Sequence, residues 1–420
     1  MIADILSTGD EVLFGDVVDT NASFLCRKLK NMGIKVQKII AVGDDLDTIA
    51  SHISEISFKS DICLVTGGLG PTMDDLTALA CGKAANQKLA LNQTAMESMK
   101  TYFAKKGFQL TRENKKQAML PQDAKVIIND RGTAPGFYIK INRCLFFFMP
   151  GVPLEMKQMF ETRIKNLLIN RFNFTDKILI KRLTVFGLGE SKVGFLLKEF
   201  EEYYPQMHLG FRADFPLVEV KIVIAVLHMD ENKALDQMRE AKQWVAEKLE
   251  KRVISTKGLS MAQETGRLLI KQKKTLAIAE SCTGGLIANM MTDIDGSSDF
   301  FLFSGVTYSN DAKMAILNVQ KKTIIDHGAV HEQTALEMAK GAREKAGSDF
   351  AISTTGIAGP TGGTKDRPVG MVSIGFAGGD FTESKTYRFN FDDRLLNKKM
   401  FATMALELLR RHLVSLEKNP

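Results

Sequence analysis

The sequence has few cysteines, a single tryptophan and no long apolar run, and each shortage excludes a class of protein. Its five cysteines are odd in number, widely separated and never arranged as CxxC, which argues against a disulfide framework or a thiolate metal site. No stretch approaches the ~20 apolar residues of a membrane-spanning helix. The N-terminus also lacks a basic segment followed by a long apolar one. We therefore expect a cytoplasmic protein without a membrane partner.

A long basic run is absent as well, although 56 basic residues outnumber 49 acidic ones and give a net charge of +7. Domains that bind nucleic acid usually carry a basic stripe interleaved with aromatic residues. The single Trp244 and six scattered tyrosines do not supply one. Nucleic acid is thus not an expected partner, whereas small anionic ligands such as nucleotides suit the charge.

The chain of 420 residues is too long for one ordinary core, and changes in its pattern divide it into three domains. Residues 1–170 alternate short β-branched runs with helical patterns, which is typical of parallel α/β units. Residues 171–256 have the pattern of a small α+β domain. Residues 257–420 resume the alternation of strands and helices. The predicted class is therefore α/β, with a small α+β module between two α/β domains.

Apolar runs and helical spacing predict individual elements in the first two domains. In the first domain the predicted strands are Ile2 to Leu6, Lys35 to Val42, Asp61 to Val65, Gly136 to Ile141 and Cys144 to Met149. The middle domain is predicted to contain a helix from Leu196 to Tyr203 and a long helix through Trp244. These elements define where the loops of the chain lie.

The C-terminal domain has a serine-containing loop between an apolar strand and a helical pattern. The strand is Leu276 to Glu280, and the loop is Ser281-Cys-Thr-Gly-Gly285. Its glycines would let backbone N–H groups approach a ligand, and the helix N-terminus would favour an anion or a developing oxyanion. On spacing alone, an equally ordinary interpretation is that Ser281 and Thr283 cap the helix.

Two further loops follow strands in the same domain. One carries SNDAK, so that Ser309 or Asn310 caps a helix with Lys313 in its first turns. The other runs from Thr355 to Gly363 and is dense in glycine. Because the carboxyl ends of parallel strands meet at one edge of a sheet, the three loops should converge there. The alternative is that the glycines serve only tight turns.

A serine and a lysine in these loops suggest a nucleophile with its base. The dipole of a helix opposes a positive charge at its N-terminus, which lowers a lysine pKa if burial adds to the effect. Such a lysine could take the Ser281 proton near neutral pH. Lys313 may equally be read from spacing alone as an ordinary solvated surface lysine.

The segments AESCTGG, GVTYSNDAK, STTGIAGP and the later PVG resemble the C-terminal domain of the competence/damage-inducible protein A (CinA) family. That family domain resembles nicotinamide mononucleotide deamidases, which hydrolyse the carboxamide to nicotinic acid mononucleotide and ammonia. The resemblance implies that Ser281 is the nucleophile, Lys313 the general base and Tyr308 a catalytic partner, with no cofactor. It implies substrate-binding roles for Thr283, Gly284, Thr355, Gly356 and Arg394, the last orienting the substrate phosphate. The loop Gly359 to Gly363 departs from the family pattern by one threonine.

The N-terminal domain has a second glycine-rich loop, Gly67-Gly-Leu-Gly-Pro-Thr-Met-Asp-Asp75, after an apolar strand. It is not a P-loop, because no GK[ST] ends it. Two adjacent carboxylates beside a phosphate-compatible loop could hold Mg²⁺, which prefers oxygen ligands shared with substrate. The alternative is that Asp74 caps a helix.

The segments TGDE, GGLGPTMDD, GTAPG and MPGVPLE resemble the molybdopterin-binding-type domain with which CinA family proteins begin. The resemblance implies a three-layer α/β fold and a metal-dependent pyrophosphatase action on ADP-ribose. Asp10, Asp74 and Asp75 would then hold a divalent metal such as Mg²⁺ or the phosphates. A pterin-binding or regulatory role is the alternative.

Three functions stay open at this point. The first is an amidohydrolase of nicotinamide mononucleotide with a second pyrophosphatase activity. The second is a non-catalytic CinA-like binding protein of competence or the DNA-damage response, which salt-dependent retention on DNA would favour. In the third, the N-terminal pyrophosphatase is the principal activity. We also expect a homodimer.

Overall fold

The structure, a computed structural model, describes residues 1–111, 113–172, 177–226, 231–379 and 381–418. The chain divides into two compact units, Met1–Leu179 with Ala225–Glu231, and Ile180–Ile224 with Asn232–Pro420. The predicted α/β class is confirmed, since each unit combines helices with a sheet that contains parallel strands. Most of the predicted middle domain falls in the second unit, and the domain boundaries after residues 170 and 256 remain predictions.

The first unit is built on a six-stranded sheet and a separate two-stranded one. Its strands are β1 (Ile2–Thr8), β2 (Lys35–Val42), β3 (Ile62–Thr66), β4 (Leu89–Leu91), β5 (Met119–Pro121), β6 (Lys125–Ile127), β7 (Gly136–Ile141) and β8 (Cys144–Met149). Its helices are α1 (Asp10–Leu13), α2 (Thr20–Asn31), α3 (Leu46–Lys59), α4 (Thr77–Ala84), α5 (Gln93–Lys106), α6 (Pro153–Met159) and α7 (Lys165–Arg171). The larger sheet has the order β2-β1-β3-β8-β7-β6.

This sheet is covered on both faces, which accounts for its uninterrupted apolar strands. Leu64 and Phe147 belong to one hydrophobic cluster, while their neighbours Val65 and Phe148 belong to another on the opposite face. Because successive strand residues point to opposite faces, β3 and β8 are buried along their whole length. The unit is thus a three-layer α/β structure. Parallel β1 and β3 bring the loops that follow them to the same edge.

The module between residues 177 and 255 has a four-stranded sheet in the order β10-β11-β9-β12. Its strands and helices are β9 (Lys177–Phe186), α8 (Glu190–Leu196), α9 (Phe200–Tyr203), β10 (Met207–Asp214), β11 (Leu217–Val226), α10 (Glu231–Leu249) and β12 (Val253–Ser255). The prediction of one helix from Leu196 to Tyr203 was wrong. The first helix begins after Gly189 and ends at Leu196, because Leu197 has φ −105° and ψ 12°.

The C-terminal part carries a five-stranded sheet in the order β14-β13-β15-β16-β17. Its strands are β13 (Leu276–Glu280), β14 (Phe301–Val306), β15 (Phe350–Gly356), β16 (Met371–Ala377) and β17 (Thr382–Arg388). Its helices are α11 (Met261–Gln272), α12 (Leu286–Thr292), α13 (Asn310–Leu317), α14 (Lys321–His327), α15 (Glu332–Ala346) and α16 (Arg394–Lys418).

Strand β13 is parallel to both of its neighbours, β14 and β15. The loops after these three strands therefore leave from the same edge of the sheet, as the sequence predicted. Ile278 and Ala279 pack into different hydrophobic clusters, so helices cover both faces here too.

None of the helices in the described ranges combines the length and the apolar character that crossing a bilayer requires.

Candidate active site

Ser281 begins a tight turn between β13 and α12. Its backbone N–H donates to the Thr354 carbonyl of the adjacent strand at 2.9 Å, and the Gly284 N–H donates back to the Ser281 carbonyl at 3.1 Å. Gly284 and Gly285 have φ values of 62° and 88°. Two successive left-handed residues are costly for any side chain other than hydrogen, which explains the glycine pair. The turn holds Ser281 at the carboxyl end of β13.

Lys313 reaches Ser281 from the first turns of α13. Ser309 caps this helix, as predicted, by accepting a hydrogen bond from the Ala312 N–H at 3.1 Å. Lys313 Nζ lies 3.0 Å from Ser281 Oγ, 2.9 Å from the Thr307 carbonyl oxygen and 3.3 Å from the Tyr308 carbonyl oxygen. The structure therefore brings the predicted nucleophile and base into contact, and the interpretation of Lys313 as a solvated surface lysine is wrong.

The environment of Lys313 favours its neutral form. The residue is 1% exposed, and this burial lowers the pKa of its ammonium group below the ordinary value, while the nearby Cys282 acts in the opposite direction. Burial also raises the pKa of the Cys282 thiol to about 12. The thiol beside Ser281 is thus protonated near neutral pH and does not compete as a nucleophile.

A neutral amine has two N–H donors and one lone pair, and the three contacts of Lys313 match that set. The carbonyl oxygens of Thr307 and Tyr308 can only accept, so they take the two N–H groups. In the charged amine the third N–H donates to Ser281 Oγ, and in the neutral amine the lone pair takes that place and faces the Ser281 hydroxyl. This arrangement is suited to removing a proton from Ser281 Oγ.

Glu280 is a buried carboxylate that the sequence did not single out. It is 0% exposed and accepts hydrogen bonds from the N–H groups of Gly285, Ile287 and Ala288 at 3.0, 3.2 and 2.9 Å. The Glu280 side chain thus occupies the N–H groups at the start of α12, and the expectation that this helix end favours a developing oxyanion stays a prediction. A carboxylate at the strand end before a helix start was the available signal.

The buried N–H groups near the nucleophile that remain are those of Cys282 and Thr283. In the part of the chain that the structure describes, neither donates to a carbonyl or carboxylate oxygen. They lie in the turn directly after Ser281, so they are the available donors for an oxyanion.

The predicted substrate-binding residues fall into two groups. Thr283 and Thr355 are fully buried, and their hydroxyls bond to Thr354 Oγ1 and to the Ala329 carbonyl, each at 2.7 Å. A side chain at Gly356 would lie 2.5 Å from the Met371 carbonyl oxygen, so this glycine allows strand pairing. These three residues support the backbone around the site, and their contact with a substrate stays a prediction.

Tyr308 and Arg394 lie at the exposed rim of the site. Arg394 donates to the Gly359 carbonyl at 2.6 Å and to the Tyr308 hydroxyl at 3.4 Å. Tyr308 is 64% exposed, while its backbone carbonyl contacts Lys313. Tyr308 thus contacts Arg394 through its hydroxyl and Lys313 through its backbone carbonyl. Lys398, which the sequence did not single out, lies near Gly284 on the same rim.

The N-terminal glycine-rich loop lines a separate cavity of about 490 Å³. A side chain at Gly67, whose φ is 104°, would lie 2.2 Å from the Thr8 carbonyl oxygen. A side chain at Gly68 would lie 2.1 Å from Thr77 Oγ1. Both glycines therefore permit the loops after β1 and β3 to approach each other at this edge.

Several carboxylates line this cavity: Glu11, Asp44, Asp74, Asp75 and Glu155. The exposed Asp10 is next to them in the structure, since its carboxylate accepts a hydrogen bond from the Asp44 N–H at 3.1 Å. Asp75 accepts hydrogen bonds from the N–H and the hydroxyl of Thr72. A hydrogen bond from Thr72 also lowers the pKa of the Asp74 carboxyl.

The pKa of the Asp44 carboxyl is raised at this cavity. Burial raises the pKa of the Asp44 carboxyl, and the charges of Asp10, Glu11 and Asp74 raise it further, against a hydrogen bond from the Asp10 N–H. Among the described residues, no three histidine, cysteine, aspartate or glutamate side chains gather closely enough to hold a metal by themselves. The metal-binding role of Asp10, Asp74 and Asp75 stays a prediction.

Two family models match separate parts of the chain. One is described as a CinA C-terminal domain and matches residues 259–413, which include Ser281 and Lys313. The other is described as a probable molybdopterin binding domain and matches residues 4–170, which include the acidic cavity.

Relatives align with this chain over nearly its whole length, so the alignments span both matched regions. The chain is 49% identical to a CinA-like protein of Desulforapulum autotrophicum, with 98% of each chain covered. It is also 49% identical to a CinA-like protein of Desulfosudis oleivorans, over 99% of this chain and 100% of that one. A solved structure, the protein CinA with unknown function from Thermoplasma acidophilum, is 32% identical over 40% of this chain and 99% of its own, with a TM-score of 0.38. These names give a family and no reaction.

Proposed function

The chain belongs to the CinA family, and from that premise we propose that its C-terminal domain hydrolyses the carboxamide of nicotinamide mononucleotide. The observation that carries the proposal is the 3.0 Å contact between Ser281 Oγ and Lys313 Nζ, with two carbonyl oxygens holding the amine. A non-catalytic binding role gives no reason to bury a lysine against a serine, since removing an amine from water costs free energy.

The proposed reaction is an acyl transfer through Ser281. Neutral Lys313 removes the hydroxyl proton as Ser281 Oγ attacks the amide carbon. The N–H groups of Cys282 and Thr283 stabilise the oxyanion of the tetrahedral intermediate. Lys313, now protonated, gives its proton to the leaving nitrogen, so ammonia departs and an ester remains on Ser281.

Hydrolysis of that ester completes the cycle. Lys313 is neutral again after ammonia leaves, and it removes a proton from a water molecule that attacks the ester carbon. The tetrahedral intermediate then releases Ser281 Oγ, which takes the proton back from Lys313, so the products are nicotinic acid mononucleotide and the free serine. Each step uses only groups of this chain, so the scheme needs no cofactor.

The test is product analysis. The intact chain is incubated with nicotinamide mononucleotide, and ammonia and nicotinic acid mononucleotide are measured together by an enzymatic ammonia assay and mass spectrometry. Equimolar formation of both is expected. Absence of both products, with the protein folded and substrate intact, would reject the proposal.

For the N-terminal domain we propose a second activity, hydrolysis of the pyrophosphate of ADP-ribose with a divalent cation. The specific observation is a cavity lined by a glycine-rich loop and several carboxylates, where burial and, after it, the neighbouring negative charges raise the pKa of Asp44. Mg²⁺ is usually held by one or two carboxylates together with substrate phosphates, and the donor set fits that chemistry. Asp74 and Asp75 would hold the ion, which would neutralise phosphate charge. Formation of AMP that depends on added Mg²⁺ tests this proposal.

A further inference from the structure

The connection between α14 and α15 carries two histidines whose rings stack on each other. His327 is the last residue of α14, and His331 directly precedes α15. Their ring centroids lie 4.3 Å apart, with an angle of 11° between the ring planes. Two imidazoles at this distance repel each other when both are protonated, so the arrangement favours neutral rings.

His331 is also the N-cap of α15. Its Nδ1 accepts a hydrogen bond from the Gln333 N–H at 3.1 Å. Only an unprotonated Nδ1 can accept that bond, so the neutral ring carries its hydrogen on Nε2. Serine and threonine caps do not change with pH in the range where histidine titrates. A histidine cap, in contrast, is lost when the ring gains a proton.

The charged groups around His331 mostly oppose its protonation. Arg367, from the loop between β15 and β16, donates to the His327 carbonyl at 2.7 Å. Glu332, the first residue of α15, has its carboxylate bound by the Thr386 N–H of β17 at 2.7 Å. Burial lowers the pKa of the His331 imidazole, and the positive groups His327 and Arg367 lower it further. Glu332 acts in the opposite direction.

The loop of residues 328–331 is fastened to the strand that holds the Ser281 turn. The Thr355 hydroxyl donates to the Ala329 carbonyl at 2.7 Å. Thr355 is 1% exposed and follows Thr354, whose carbonyl accepts the Ser281 N–H at 2.9 Å. Two hydrogen bonds and one peptide unit of β15 therefore connect the loop to Ser281.

We propose that the histidine pair is a pH-sensitive catch, in which protonation of His331 uncaps α15 and releases the loop from Thr355, so that the strand end beside Ser281 loosens. The protonated ring cannot accept the Gln333 N–H, and it places a positive charge beside His327 and at the helix N-terminus. Because folding favours the neutral ring, the cap is complete above the ordinary histidine pKa of 6.5 and is lost as pH falls through the lowered pKa of His331. The catch does not depend on the identity of the substrate.

The test is amide hydrogen exchange of the intact chain, measured by mass spectrometry of peptides from about pH 8 to about pH 5, the range in which histidine titrates. Protection factors remove the chemical pH dependence of exchange. Protection of the first turn of α15 and of the peptide that contains Thr355 should fall about fivefold or more, the size of one lost helix cap. Constant protection of either peptide, while NMR shows that His331 becomes protonated, would overturn the catch.

His331→Ser is the decisive variant, because serine caps a helix without titrating in this range. Protection of the first turn of α15 in this variant should stay within about twofold across the same pH range. His208→Ser is the matched control, since it removes an exposed imidazole from β10 and should keep the pH dependence of the intact chain. A pH dependence that persists in His331→Ser, or that disappears in His208→Ser, would overturn the assignment to His331.

His327→Gln tests the stacked partner. It leaves the cap in place and removes one of the two groups whose positive charge lowers the pKa of His331. The midpoint of the His331 titration, followed by NMR of its ring, should therefore rise toward the ordinary histidine value. A midpoint equal to that of the intact chain would overturn the pairing of the two rings.

Discussion

The loops after β3 and β13 both follow a buried parallel strand and both depend on paired glycines, yet they surround different chemistry. After β13, the loop covers a serine and a lysine that are each less than a tenth exposed. After β3, the loop borders an open cavity with carboxylates on its wall. A glycine turn after a buried strand thus lies beside two buried side chains in one region and beside an open cavity with carboxylates in the other.

The two sites differ in whether they need a metal ion in addition to the groups that the chain supplies. Burial lowers the pKa of Lys313, and its amine has hydrogen-bond acceptors in the chain, so Ser281 and Lys313 lie together without a group from outside. At Asp44, burial and then the neighbouring negative charges raise the pKa of the carboxyl, and a bound cation would offset those charges. The first site should therefore work without metal and the second should require it.

The largest expected effect comes from removing either member of the buried pair. Ser281→Ala or Lys313→Ala should lower kcat for ammonia release about 10⁴-fold, because each removes a group that acts only as part of the pair. Asp74→Asn and Asp75→Asn should leave ammonia release within twofold of the intact chain. Initial rates of ammonia formation measure the effect. Comparable losses in the two sets would contradict two independent sites.

The second-largest effect should come from a chelator, which should stop one of the two proposed activities and not the other. Addition of EDTA should abolish AMP formation from ADP-ribose and leave ammonia release unchanged. Asp74→Asn should lower AMP formation about 100-fold at saturating Mg²⁺, the size of one lost electrostatic contact in a transition state. Parallel assays of one protein preparation check both statements. Ammonia release that falls with EDTA and returns with Mg²⁺ would show that the comparison is wrong.

The rate of ammonia release should depend on pH through the protonation of Lys313. Protonated Lys313 cannot accept the Ser281 proton, so kcat/KM for ammonia release should fall as pH drops through the lysine pKa. Since burial lowers that pKa, the midpoint should lie below the ordinary lysine value of 10.5. Lys313→Arg should be inactive at every pH, because a guanidinium does not lose its proton. A midpoint at or above the ordinary lysine value would conflict with the buried position of the amine.

The smallest effects concern the two glycine turns. Gly67→Ala should destabilise its loop by about 2 kcal/mol, because the backbone is strained and the nearest neighbour, the Thr8 carbonyl, cannot move aside. Gly284→Ala should cost about 1 kcal/mol, since its left-handed φ is the main penalty and only the flexible end of Lys398 is near. Hydrogen exchange measures each loop separately, which a single unfolding transition would not. Equal costs would indicate that the two turns are equally crowded.

Most of the strands could be predicted from the sequence because apolar runs report burial directly. The bounds of β2, β7 and β8 coincide with the predicted ones. Helix starts were harder to predict in the middle module, where α8 begins at Glu190, six residues before the start that the apolar spacing predicted. Helix α14 and strand β17 were not predicted, since Lys321–His327 and Thr382–Arg388 carry mostly polar residues.

The site was predictable only in part. Motif resemblance pointed to Ser281 and Lys313, but their contact spans 32 residues and depends on which strands are neighbours. Glu280 looks like the polar end of a strand until its three N–H donors are known. Lys398 stands in a polar run whose meaning comes from the position of Gly284. Tertiary contacts, which no local pattern records, decide these cases.

The central claim is that Ser281 Oγ attacks the amide carbon with Lys313 as its base. The most direct measurement is peptide mapping of the enzyme after acid quenching during turnover of nicotinamide mononucleotide, with EDTA present. We predict an ester on the peptide that contains Ser281, absent from Ser281→Ala, which should release no ammonia above background. Ammonia release that continues in Ser281→Ala, or an ester on another residue, would contradict the account.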